Sequence, residues 1–105
     1  MGKIHTFTQL TAPGNTAAIP TAAYARHTLQ YTVASIDTNV VVNWEGTLDG
    51  TNWFDLRDAG DKTILANGTS AFEYSKLAVA AIRFVFVSES GGTAATIDCK
   101  YMGDK

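Results

Sequence analysis

Disulfide pairs, membrane-length apolar runs, basic patches and phosphate loops are all missing from this chain of 105 residues, and each absence removes a class of function. A single cysteine, Cys99, allows no intrachain disulfide; it lies in an apolar-alternating segment and reads as a small buried hydrophobe, so nothing ties the chain to an oxidising compartment. No apolar run approaches the roughly 18 residues of a membrane span, and the start lacks the charged, apolar, small-residue succession of a signal peptide. The expectation is a chain made in the cytosol that stays soluble, with no membrane partner. Met1-Gly2-Lys3-Ile4-His5-Thr6 fits a myristoylation pattern, but so short a pattern recurs by chance and no second membrane signal accompanies it. A net charge of −2 gives no basic footprint, so no nucleic-acid partner is expected either.

Catalytic signals are equally scarce. His5 and His27 lie in strand patterns without a cysteine or carboxylate at metal-ligand spacing, and read as surface or interface side chains; no metal and no cofactor is expected. No Gly-rich loop opens a helix, and no serine sits in a Gly-x-Ser-x-Gly elbow. Glu45, Asp49, Asp55 and Asp58 crowd one region as a glycosidase pair would, yet Glu45 and Asp55 occupy strand positions expected to face solvent, and so small a chain has little material for a cleft. Asp55, Asp58 and Asp61 lack the every-second-residue spacing of a calcium loop and read as a solvated loop. The chain is not expected to be an enzyme.

What the sequence does hold is β structure. At 105 residues it makes one domain, 1–105, with room for one core. Charged residues are only 17%, while Thr and Ala are abundant, which suits either a surface covered by neighbouring subunits or a Thr-rich monomer. Period-two alternation recurs about every ten residues with turn chemistry between, the signature of a sandwich or barrel. Residues 4–10 read as an edge-like first strand, 17–19 as a short strand stopped by Pro20, and 27–33 as a strand with His27, Leu29, Tyr31 and Val33 on one face. Residues 40–48 place Val40, Val42, Trp44, Gly46 and Leu48 on one face; the turn Asp49-Gly50-Thr51-Asn52 then leads into a second strand at 53–57. Asn67-Gly68 predicts a hairpin between 62–66 and 71–75, and so reads as a tight turn rather than a glycosylation acceptor. Residues 76–80 could form a helical turn, 82–88 read as a strand buried on both faces, and Gly91-Gly92 closes a hairpin with 96–102, where Ile97, Cys99 and Tyr101 point inward. The expected fold is all-β: a single antiparallel sandwich of about eight strands, jelly-roll or immunoglobulin-like.

In the central hairpin Asp49 is able to bond the following amides, Gly50 tolerates positive φ, and Trp53, Leu56 and Trp44 are expected to fill the core. The string EGTLDGTNWFDL, followed by AAIRFVFVS and a terminal GGTAATI, resembles small β-sandwich structural proteins of tailed bacteriophages, in which strings like S-x-D-G-x-x-W-x-x-L recur in capsid decoration, neck and tail-fibre components. The resemblance covers roughly residues 40–102. It implies a virion part without saying which one; the expectation adopted is a non-enzymatic capsid decoration or cement protein, with the major capsid protein or another virion protein as partner and a homo-oligomeric, preferably trimeric, state. Residues 1–20 would be an arm touching a neighbour through Ile4, Thr6, Thr8, Leu10 and Pro13, or else the first strand of this same sandwich. The alternative function is a carbohydrate- or receptor-binding module of a tail fibre or other tail or neck component, with Trp44, Trp53, Tyr24 and Tyr74 as the available rings.

Overall fold

A computed structural model of the chain describes residues 4–57, 59–74 and 79–104. Among these the strands are β1 (Ile4–Thr6), β2 (Gly14–Asn15), β3 (Ile19–Pro20), β4 (Arg26–Ala34), β5 (Asn39–Thr47), β6 (Trp53–Asp55), β7 (Lys62–Ile64), β8 (Gly68–Tyr74), β9 (Ala81–Ser90) and β10 (Thr96–Asp104). Alternation decides their inner faces. In β4, His27, Leu29, Tyr31 and Val33 are buried while Thr28 and Gln30 are exposed; in β10, Ile97, Cys99 and Tyr101 are buried while Asp98, Lys100 and Met102 are exposed. The inner faces of two sheets meet in an aromatic cluster. Phe72 of one sheet lies 5.9 Å from Trp44 and 6.4 Å from Phe84 of the other, and 4.9 Å from its own neighbour Tyr31. Each fully buried side chain of this size contributes about 1.5–3 kcal/mol.

The first sheet has the order β1-β10-β4-β8; in the second, β9 and β5 are central, β2 and β3 share the edge beside β9, and β6 and β7 share the edge beside β5. All pairings are antiparallel. With each shared edge taken as one broken strand, both sheets have four rows. The chain is then one long ribbon doubled back at the turn after β5. Every strand before that turn pairs with strands after it: β5 with β6 and β7, β4 with β8, β2 and β3 with β9, and β1 with β10. Wrapping this ribbon into two sheets is the jelly roll, which selects between the two expected sandwiches.

That topology overturns both outer hairpins. β7 pairs with β5 in the second sheet, whereas β8 pairs with β4 in the first, so Asn67-Gly68 is a crossover between sheets. Gly91-Gly92 likewise connects β9 of the second sheet to β10 of the first. A Gly-containing turn reverses the chain without choosing the next partner; β4 offers β8 a seven-residue ladder, from Val33↔Gly68 to His27↔Tyr74, that a three-residue β7 cannot.

Smaller corrections follow from the same geometry. Leu48 is 69% exposed because β5 ends at Thr47 and the chain has entered the turn. β9 is not buried on both faces: Ile82, Phe84 and Phe86 are buried, but Arg83 and Val85 are half-buried and Val87 is exposed, since nothing among the described residues layers fully over the outside of the second sheet. The N-terminal segment is divided between both sheets of its own chain. Ile4 pairs with Met102, Leu10 bridges to Ile97, Gly14 pairs with Phe86 and Ile19 with Ile82. Residues 4–20 thus contribute edge strands to this same sandwich. The helical turn expected at 76–80 falls largely outside the described residues.

Candidate functional site

The turn after β5 is built by side chains. Asp49 Oδ1 accepts from the amides of Thr51 and Asn52, each at 2.8 Å, and Oδ2 accepts from Asn52 Nδ2 at 2.8 Å. Thr47 Oγ1 donates to the Asn52 carbonyl at 2.7 Å and accepts from the Gly50 amide at 3.0 Å, while Gly50 adopts φ +80°. The Asn52 and Thr51 amides hold the Asp49 carboxyl well below the usual carboxylate range. A carboxylate so engaged is a structural acceptor and has no proton to donate near neutral pH.

Beside the turn the two tryptophans part company. Trp44 is fully buried, and Leu56, 2% exposed, docks its amide on the Trp44 carbonyl at 3.1 Å. Gly46 makes room for this: a Cβ there would lie 3.0 Å from Leu56 and 3.3 Å from Val79. Trp53 is not in the core. It pairs with Thr47, whose parity is opposite to that of Trp44, and so stands half-buried on the outer face of the second sheet. There the Arg83 guanidinium lies 4.2 Å from its ring centroid and pairs with Glu45 at 2.7 Å, giving a layered Trp53-Arg83-Glu45 cluster. Asp55 sits opposite Glu45 in register, Asp61 accepts from Asn43 at 3.2 Å, and Asp58 lies outside the described residues. Among the described residues no three His, Cys, Asp or Glu side chains are grouped to hold a metal.

His27 is not at the surface. It is fully buried on the inner face of β4, with Nδ1 hydrogen-bonded to the Tyr101 hydroxyl and its ring stacked near Tyr101 at 5.8 Å and Tyr74 at 6.1 Å. The alternation with Leu29 and Tyr31 carries this signal; reading histidine by type obscures it. A cleft of about 370 Å³ opens beside it, lined by Arg26, Thr28, Glu73, Met102 and Asp104 among others, with Arg26 and Asp104 paired at 2.6 Å. Burial pushes the Cys99 thiol up to about 12 and raises the Tyr101 hydroxyl above its ordinary value, so neither is a ready nucleophile.

The expected partner-contact residues are spread along one flank. Ile4 (67% exposed), Thr6, Thr8 and Pro13 are exposed, and Leu10 is half-buried against the core. Ile4 and Met102, with Thr28, Gln30 and Lys100, line a shallow concavity of about 260 Å³ on the outside of the first sheet. Of the rings able to stack on a sugar, Trp44 is enclosed, Tyr24 and Tyr74 are half-buried, and Trp53 has a cation over its ring.

No family model and no curated protein matches the chain. Among solved structures, the SPBc2 prophage-derived protein YomS is similar to it with a TM-score of 0.65 at 11% identity, over 97% of this chain and 94% of that one. A structure described as "CBM4 structure and function" gives 0.48 at 20% identity over 86% of this chain and 57% of that one. The Bacillus endospore appendages that form disulfide-linked pili give 0.46 at 10% identity over 100% and 92%. The first likeness is one of fold; the other two are too distant to add to it.

Proposed function

We propose that this chain is a non-enzymatic structural protein of a bacteriophage particle, and specifically a decoration protein that stabilises the capsid by bridging neighbouring major capsid subunits. The observation that carries the reading is the reciprocal cover with the prophage-derived protein, 97% of one chain against 94% of the other, which pairs this sandwich with a phage-borne one of nearly the same extent. The weakly charged skin, 17% of residues, supports it, because interface cores are depleted of charge. Each copy buries a modest area, and repetition over the shell supplies avidity. Self-association of the copies belongs to the same reading. The exposed Ile4, Thr6, Thr8 and Pro13 form the flank offered to a capsid neighbour, and neither nucleic acid nor membrane is a partner. The protein is made in the host cytoplasm and resides on the virion.

A tail-fibre or neck module that binds carbohydrate or a receptor is favoured by one feature, the half-exposed Trp53. Copy number separates the two readings. A stained gel of purified particles should show this chain in amounts comparable with the major capsid protein, and the purified chain should bind empty heads. A handful of copies per particle with binding to cells or glycans, lost in Trp53→Ala, would replace the decoration reading by the fibre reading.

A further inference from the structure

The sheet edges of this sandwich are unequal. In the second sheet one edge is broken into β2 and β3 of two residues each, the latter ending on Pro20, and the other into β6 and β7 of three residues each. In the first sheet β1 is three residues long. β8 alone is an unbroken edge of seven residues, and among the described residues it pairs only with β4. Its sequence GTSAFEY carries one charge, Glu73, with no proline and no lysine, and every residue from Gly68 to Ala71 is exposed. Soluble proteins blunt exposed edges by shortening them, breaking them or placing charge and proline along them, because free backbone N–H and C=O groups recruit further strands. Three edges here are treated that way and the fourth is not.

We infer that the open edge of β8 pairs with β8 of a second copy of this chain, joining two four-stranded sheets into one of eight strands across a two-fold axis. An extended partner is required because the groups on offer are backbone donors and acceptors in a row. The charge pattern suits a second copy. Antiparallel pairing centred on Ala71 sets Phe72 against Ser70 and Glu73 against Thr69, so the two Glu73 carboxylates do not face each other, and two edges of equal length satisfy each other end to end. This contact is isologous, and a closed pair rather than a trimer follows from it. It deepens the self-association within the proposed function but does not depend on the capsid: the pair could form and head binding fail, or the reverse.

Sedimentation equilibrium on the full chain tests it, with three variants. Adjacent residues of a strand point their N–H groups to opposite sides, so of Ser70→Pro and Ala71→Pro one removes a bond to β4 and the other a bond only to the partner. Wild type is expected to be a dimer. The more thermally stable of the two proline variants, the one that keeps its bonds to β4, is expected to be a monomer. Ala71→Lys, on the exposed face beside Gln30, places two lysines opposite each other at the axis and should weaken the dimer about fivefold with the fold intact. A monomeric or three-fold wild type, or a dimer indifferent to all three substitutions, would overturn the inference.

Discussion

The reversal after β5 and the connection after β9 both turn on glycines of positive φ, yet their constraints differ in origin. Around Gly50 nothing lies within 4 Å of the place a Cβ would take, and the turn is held by Thr47, Asp49 and Asn52, all inside a six-residue window. Gly91, at φ +89°, would drive a Cβ into Thr38, a residue more than fifty positions earlier. The first turn is specified by its own residues; the second is specified by what it must pass. A turn of the first kind can form early and organise a ribbon, while one of the second kind is demanded only once the sheets have met.

Substitutions can break that contrast. Gly91→Ala meets both the φ penalty and the clash with Thr38, and is expected to cost about 3 kcal/mol in urea unfolding. Gly50→Ala meets the φ penalty alone, about 1–2 kcal/mol. Equal losses at the two positions would mean that the Thr38 approach is not a constraint. Asp49→Asn keeps an acceptor but removes the charge that strengthens its bonds, so it should lower the urea midpoint at pH 7 by less than Gly50→Ala. The folded carboxyl titrates below its ordinary value of 3.8, so its contribution is fully present above that value and is lost as the pH falls toward the folded one. The gap between wild type and Asp49→Asn should therefore close as the pH drops below about 4. A gap that persists unchanged down to pH 2 would show that the turn is not held by charge. Asn67→Ala should be the mildest, about 0.5 kcal/mol, since it removes only an exposed 2.9 Å bond to the Ile36 amide. A loss there as large as that of Gly50→Ala would make the β7-to-β8 crossover depend on a distant segment, as the Gly91 connection does.

The same division runs through what is legible in the sequence. The inward faces of β4 and β10 follow from alternation within nine residues, and Asp49-Gly50 announces its own turn. The aromatic character of Trp53 points to the core, whereas register through the turn sets it opposite Thr47 and hence outside. For His27 the converse holds: residue type points to the surface, while the parity it shares with Leu29 and Tyr31 places it inside. The open edge of β8 had no local signature at all, because whether a strand lies at an edge depends on strands far away in the chain.

By itself, then, the order of residues determined two amphipathic layers, their inward side chains and the midpoint reversal, since period-two patterning and Asp-Gly turn chemistry act over a few neighbours. Only the assembled tertiary structure decided which sheet each strand joined. Pairings such as Ile4↔Met102 and Asn15↔Val85 are worth their loop-closure entropy only when a common core is buried beneath them, and that burial belongs to no single segment.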